Sequence, residues 1–341
     1  RPPRSTLFPY TTLFRSKYNH ELKLLNIFCM WHVSSFGIIS GLVGDKSHKF
    51  SNLLYLWIVT VFYSSIFCIN YNKSNFQKYN VDLINNIFPV SSNRYWYFTS
   101  YFGIYPFLSF INSGISTLPK IQSKKCIYFI IGIFIIWASY YNDSFSLNHG
   151  YNSFSLLILY TIGCYIGKYL FYRKYFFFFR ILICNICCIL YILVSFICYC
   201  ISIKNIFPQI DKKMKKLFRV GINSFPMVLQ VFFVIIFISQ IKFNKYLTSI
   251  ITFIAPLTFD IYLIHENTYI RNKYIKTSFN KYSSYLYLSK IIILIMRKGI
   301  YIFCISLFIA YIRNIIFRII KIKYLCFYFE IITTKIMYYF L

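Results

Sequence analysis

The stretch FFFFRILICNICCILYILVSFICYCISI, Phe176 to Ile203, runs for 28 residues with a single charged side chain, Arg180, near its start. About 20 mostly apolar residues suffice to cross the hydrocarbon core of a bilayer as a helix. Apolar and polar residues do not alternate at a period of two, so the run does not read as a strand of an outer-membrane barrel. A segment in lipid must satisfy its own backbone N–H and C=O groups, and a helix does so internally. Eight further runs of similar character lie around it: Leu24 to Val43, Leu53 to Asn70, Tyr95 to Asn112, Cys126 to Tyr141, Phe154 to Tyr172, Ser224 to Ile241, Leu247 to Ile264 and Ile300 to Phe317. Together they predict an all-α polytopic membrane helix bundle with nine visible spans.

Composition points the same way. Hydrophobic residues make up 58% of the chain and charged residues 13%, against roughly 25% charged in an ordinary soluble domain. The mean hydropathy is +0.57. The formal charge of +29, from 37 Lys and Arg against 8 acids, raises the question of nucleic acid. Nucleic-acid binders gather basic residues on one face or one helix; here they occupy short breaks between apolar runs, so no nucleic-acid partner is expected. The joint excess of Ile, Asn, Lys, Tyr and Phe matches the codon bias of an AT-rich genome, and membrane lipid with anionic head groups is the natural counterpart of the surplus lysines. Cys184, Cys187 and Cys188 have a spacing that suggests metal, but no histidine or second cysteine pair stands near to complete four ligands. They are assigned to packing, and no metal site is expected.

The breaks between runs carry turn chemistry. Lys120 to Lys125, Lys204 to Arg219 and Glu266 to Arg297 are polar or basic, and Pro89, Pro119, Pro208 and Pro226 sit near run edges. No Gly/Ser-rich linker sets off a soluble part, so residues 17–320 read as one membrane domain. Residues 321–341 hold a weak apolar run interrupted by Glu330 and Lys335 and are expected to be a surface-lying tail. The loop Lys/Arg bias does not resolve the orientation, because basic residues fall on both sides of the alternating loops. Arg1 to Ser16, RPPRSTLFPYTTLFRS, back-translates into the text of a common sequencing-library adapter and is set apart from the fold. Coding sequence is accordingly expected to begin at Lys17, as an open-ended fragment whose first methionine, Met30, already lies inside an apolar run.

Ionisable groups within spans are costly and are functional candidates by default. Four qualify: His32, Arg180, Asp260 and His265. Arg180 stands near a run end, from which its side chain can reach the head groups. His32 has Ser34, Ser35 and Ser40 close by in sequence, which suits either a hydrogen-bonded packing role or a catalytic one. His265 closes the run TFDIYLIH; on a helix it shares a face with Ile261 and Tyr262, whereas Asp260 points away from it. A neutral imidazole at that boundary can serve as a general base or hold a substrate hydroxyl. His265 and His32 are therefore the candidate catalytic residues. Polar residues at run ends supply candidate substrate contacts: Arg94, Tyr95 and Trp96 open a run that Asn112 closes, and a later loop carries Asp143, Asn148, His149 and Gly150. Interfacial aromatic belts account for Tyr95 and Trp96 without any role in binding. No nucleophile elbow, P-loop, dinucleotide fingerprint or HExxH helix is present.

Several segments in order resemble the acyltransferase 3 family, the multi-span membrane O-acyltransferases of bacteria. FPVSSNRYWYFTSYFGIYPFLSFIN, Phe88 to Asn112, resembles its Pro-containing loop leading into an aromatic helix with a closing Asn. LNHGYNSFSLLILYTIGCYIGKY, Leu147 to Tyr169, resembles its Asn-Gly-Tyr loop and the helix ending in GxYIxKY. APLTFDIYLIHENTYIR, Ala255 to Arg271, is similar to its late helix ending in YLIH, and IAYIRNIIF, Ile309 to Phe317, to its closing helix. FGIISGLV, Phe36 to Val43, resembles its second span, making Ser40 and Gly41 a structural motif. The resemblance implies ten spans in the intact parent and transfer of an acetyl or other short acyl group from acyl-CoA, as substrate and not as bound cofactor, to a carbohydrate or lipid-linked glycan at the bacterial cytoplasmic membrane.

It further implies a catalytic histidine in an Arg-x10-His span. Eleven residues before His32 stands Glu21, so His32 does not fit that pattern; the first span is expected to precede Lys17, and this fragment to lack turnover. In that setting His265 supports the cavity, while Arg94 and Asn148 contact substrate or donor. The family has Gly where Asp260 stands, so that carboxylate needs a partner or a proton inside the membrane. The alternative, from a different class, is a transporter or flippase of lipid-linked sugars, which would carry a two-half internal symmetry; none is visible in the sequence.

Overall fold

A computed structural model of the chain describes residues 24, 27–44, 49–71, 83–141, 145, 147, 150–169, 177–202, 224–276 and 288–340. Every regular element among them is helical. In chain order the longer ones are α1 (His32–Val43), α2 (Phe50–Tyr71), α3 (Trp96–Thr117), α4 (Lys120–Ile130), α5 (Ser153–Tyr169), α6 (Phe177–Ser202), α7 (Phe225–Gln240), α8 (Lys245–Ile254), α9 (Thr258–Glu266), α10 (Leu288–Ile319) and α11 (Ile322–Phe340). A π-helical stretch, Ile131–Trp137, and a last turn, Ala138–Tyr140, continue α4, and a single 3-10 turn at Ala255–Leu257, containing Pro256, joins α8 to α9.

Each of the nine apolar runs holds a helix, but they do not all have the makings of a full span. Among the described residues five stretches are long and apolar enough to cross a membrane: Phe50–Ile69, Lys120–Tyr140, Leu182–Ile201, Lys245–Glu266 and Ser289–Ile319. The apolar helices Ile27–Val43 and Phe225–Gln240 are shorter, and α5 has 17 residues. α3 is long enough, with 22 residues, but Thr99, Ser100, Ser109, Asn112 and Ser113 dilute its hydropathy.

By compactness the described residues form two units, one drawn from Lys49–Phe102 with Phe243–Leu341, the other from His20–His48 with Gly103–Lys242. The division falls within α3 at Phe102. There Pro106, four residues on, has no N–H to offer the Phe102 carbonyl, so the helical ladder is weakest at that point.

In the first unit α9 packs on α10 and α2, and α11 packs on α2. Val59 and Tyr63 of α2, Tyr95 before α3 and Phe98 within it, Leu263 and Ile264 of α9, and Phe317 of α10 form its buried core. The sequence marked 321–341 as a surface-lying tail; residues 322–340 are a continuous helix anchored to α2, for the Glu330 carboxylate accepts the Phe50 N–H at 2.8 Å. An anion there also complements the positive end of the α2 dipole.

The second unit is organised around α1 and α5, which meet along glycines. A Cβ on Gly41 would collide with the Tyr160 carbonyl oxygen, and one on Gly163 with the Ile38 carbonyl oxygen. The two backbones therefore touch, as small residues permit between helices in lipid. Ile38, Ile135, Leu159, Ile162, Val231 and Ile235 fill the core alongside. α6 and α7 pair through a buried Gln230 amide that donates to the Ser195 hydroxyl at 2.8 Å.

Candidate functional site

Residues 83–87 are helical and the chain then folds back before α3. The Ser92 hydroxyl donates to the Asn85 carbonyl at 2.6 Å and the Arg94 N–H to the Pro89 carbonyl at 3.1 Å. Asn93 takes the left-handed conformation, φ 48°, that asparagine tolerates better than most residues. This turn delivers Arg94 and Tyr95 to the head of α3. Facing them, α9 ends at Asn267, whose own side chain caps the next turn by accepting the Tyr269 N–H at 3.1 Å. The same side chain donates to the Tyr95 hydroxyl at 2.9 Å, a buried bond across 172 residues of sequence. Asn86, Arg94, Tyr95, Asn267, Thr268 and Tyr269 line a shallow polar recess that encloses no cavity.

His265 stands two residues before Asn267. Its Nδ1 lies 2.6 Å from the Ile261 carbonyl oxygen one turn back, a contact only a protonated Nδ1 can make as donor. In the neutral ring Nε2 is then the lone-pair nitrogen. Nε2 is buried without a hydrogen-bond partner. Glu266 Oε1, 4.0 Å away, is in the same condition, and Glu266 Oε2 accepts from Arg271 Nη1 at 3.2 Å. The Tyr262 ring meets the His265 imidazole edge-on at 6.0 Å and lies 6.3 Å from the Tyr95 ring, so aromatic contacts run from the imidazole to the wall of the recess.

A second polar cluster lies within the spans. Asp260 and Arg313, 1% and 3% exposed, form a buried ion pair between Asp260 Oδ2 and Arg313 Nη2. Arg313 Nη1 donates to the Tyr55 hydroxyl at 2.7 Å, and the guanidinium lies 5.0 Å from the Phe317 ring centre. Asp260 thus has the partner that its place in a span demands, and α2, α9 and α10 share it.

The predicted site residues are divided between the two units. Arg94, Tyr95 and His265 belong to the first unit; His32, Ser40, Gly41 and Asn112 belong to the second. His32 turns its Nδ1 onto the Cys29 carbonyl of its own segment. Gly41 makes the α1–α5 contact, and Ser40 is half-buried beside it in α1. Asn112 Oδ1 accepts from the Tyr160 hydroxyl and the Cys164 thiol, both at 3.1 Å, and its amide donates to the Gly44 carbonyl at 3.4 Å, which accounts for it as a packing residue. Trp96 sets its ring edge-on to Tyr97. Asn148 and residues 1–16 lie outside the described residues. Lys168 of the GxYIxKY stretch caps α3, its ammonium donating to the Ile115 and Ser116 carbonyls at 2.6 and 2.9 Å.

Three participants went unrecognised in the sequence: Arg313, Glu266 and Asn267. Asn267 had a local signal, a capping side chain placed directly after a run. Arg313, the one cation in IAYIRNIIF, is an intramembrane charge and was legible by the rule that flagged Asp260. Among the described residues no three His, Cys, Asp or Glu side chains come together in a way that could hold a metal. No protein-family description, curated protein or solved structure matches the chain.

Proposed function

We propose that this chain is a membrane O-acyltransferase of the cytoplasmic membrane, moving an acetyl or other short acyl group from acyl-CoA to a hydroxyl of a cell-surface carbohydrate. The observation that carries the proposal is the state of His265: Nδ1 committed to a backbone carbonyl, Nε2 buried and unengaged, at the end of a membrane-length segment beside a polar recess. Acyl transfer from a thioester to a hydroxyl needs a base for the hydroxyl proton and groups that hold the two reactants together. In this reading Nε2 is available as a base beside the one the resemblance implies, and Arg94 and the Asn267–Tyr95 pair offer polar groups at the recess two residues along the chain. The resemblance of Phe88 to Asn112 and Ala255 to Arg271 to acyltransferase 3 proteins supports the same reading and adds a further histidine in an Arg-x10-His span.

The test is incorporation of label from acetyl-CoA into polysaccharide by membranes carrying the product of the complete open reading frame. His265→Gln should lower the rate by about 10²–10⁴-fold, the usual worth of general acid–base catalysis. Absence of any acetyl transfer by the unaltered protein would remove the reading.

One observation favours a second reading, transport of lipid-linked sugars: charged groups inside spans often mark a transport path, and Asp260 and Arg313 are such a pair. Flipping of a fluorescent lipid-linked sugar in proteoliposomes without acyl-CoA would select it.

A further inference from the structure

We infer that Glu266 is a second acceptor-binding residue and that the group it selects is a vicinal diol, one hydroxyl donating to Glu266 Oε1 while its neighbour donates to His265 Nε2 and receives the acyl group. The transfer step rests on the acyltransferase reading; recognition of the diol does not.

The geometry follows from what each atom can do. With Nδ1 donating to Ile261, His265 Nε2 in the neutral ring can only accept. Glu266 Oε2 is taken up by Arg271, which sets a cation behind the carboxylate and leaves Oε1 as a second acceptor. Both acceptors are buried without a hydrogen-bond partner. They stand 4.0 Å apart, beyond hydrogen-bond reach, so neither serves the other. A lone hydroxyl has one proton and satisfies one of them. Hydroxyls on adjacent carbons lie closer together than 4.0 Å, so two hydrogen bonds of about 2.7–2.8 Å can fan out from a diol onto the two atoms. Charge-assisted bonds to a carboxylate are the stronger kind, which makes Glu266 the group that fixes orientation.

During transfer, the hydroxyl on Nε2 gives its proton to the imidazole as its oxygen bonds to the thioester carbonyl carbon. The carbon–sulfur bond then breaks, and the leaving thiolate takes the proton back from His265. The neighbouring hydroxyl stays on Glu266, and the product is a monoester of the diol.

The experiment follows modification of His265 by diethyl pyrocarbonate in the detergent-solubilised protein, read peptide by peptide by mass spectrometry. The probes are cis-1,2-cyclohexanediol, its 1,3-isomer and cyclohexanol. The 1,2-diol should protect His265 while the other two leave its labelling rate unchanged. Glu266→Gln should require about tenfold more 1,2-diol for equal protection, one charge-assisted hydrogen bond being worth that much or more. Glu266→Asp, which keeps the charge, should fall between, and it substitutes for Glu266→Gln if that variant does not elute as a single species. Equal protection by cyclohexanol, no protection by any probe, or wild-type behaviour of the Glu266 variants overturns the inference. Acetyl transfer assayed in parallel separates the two claims: diol protection without transfer leaves diol recognition standing and removes the acyltransferase reading, and transfer without diol discrimination does the reverse.

Discussion

The two units hold their helices together by opposite means. In the second, α1 and α5 touch backbone to backbone because Gly41 and Gly163 carry no side chains to keep them apart. In the first, α2, α9 and α10 converge on a buried ion pair, Asp260 with Arg313, and on the Tyr55 hydroxyl that shares the guanidinium. Lipid tails are as apolar as leucine, so hydrophobicity gives helices little reason to prefer one another over lipid. Association has to come from close van der Waals packing or from polar groups that lipid cannot satisfy, and this chain uses each in a different place. The glycine contact tolerates no added atom, whereas the ion pair tolerates no missing one.

Arg313→Leu should be the most damaging change, at about 3–5 kcal/mol, because it leaves the Asp260 carboxylate buried without its cation. Thermal melting in detergent would read the loss. The double variant Asp260→Leu/Arg313→Leu should regain most of it, since a well-packed apolar pair replaces a buried ionic one at small net cost. A double variant no more stable than the single one would mean that the two charges are not coupled. Gly163→Val comes next, costing about 1–3 kcal/mol or more, as the new side chain drives against the Ile38 carbonyl and pushes α1 from α5. A wild-type melting temperature there would refute the close approach. Asn112→Leu should cost about 1–3 kcal/mol, the penalty for stripping a buried donor such as the Tyr160 hydroxyl of its acceptor. Gly114→Ala is the smallest expected effect and has the opposite sign. Nothing lies within 4 Å of a Cβ at that position, so removing a glycine from the interior of α3 should stabilise by about 0.5–1 kcal/mol.

Hydropathy located the helices well and ranked them less well. α10 was read as Ile300 to Phe317, yet it begins at Leu288 and runs 32 residues. Its first turns carry Lys290, Arg297 and Lys298, which an apolar window discards although they belong to the same continuous helix. The run Tyr95 to Asn112 reads as one of the nine apolar spans. Its serines, threonines and Asn112 make it the more polar helix, and several of those groups bond within the protein.

The candidate site was legible in part for a similar reason. Arg94, Tyr95 and His265 stand at run ends, where polar residues are conspicuous against apolar neighbours. Glu266 lies in a polar stretch where nothing distinguishes it, and the capping signal at Asn267 does not disclose that its amide donates to Tyr95, 172 residues earlier. Asn112, conspicuous for the same reason as Arg94, lies instead among packing contacts of the other unit.

From its residues alone the chain is all-helical and built of apolar rods, because transfer into lipid is nearly additive along a segment and each helix closes its own backbone hydrogen bonds. Which side chains share a burial site is a matter of three-dimensional register. Asp260 and Arg313 are 53 residues apart, and no local pattern in either helix encodes the angle at which the two rods cross. Only the packed structure brings that carboxylate to its guanidinium, and only it sets Asn267, next to Glu266 in the chain, against Tyr95.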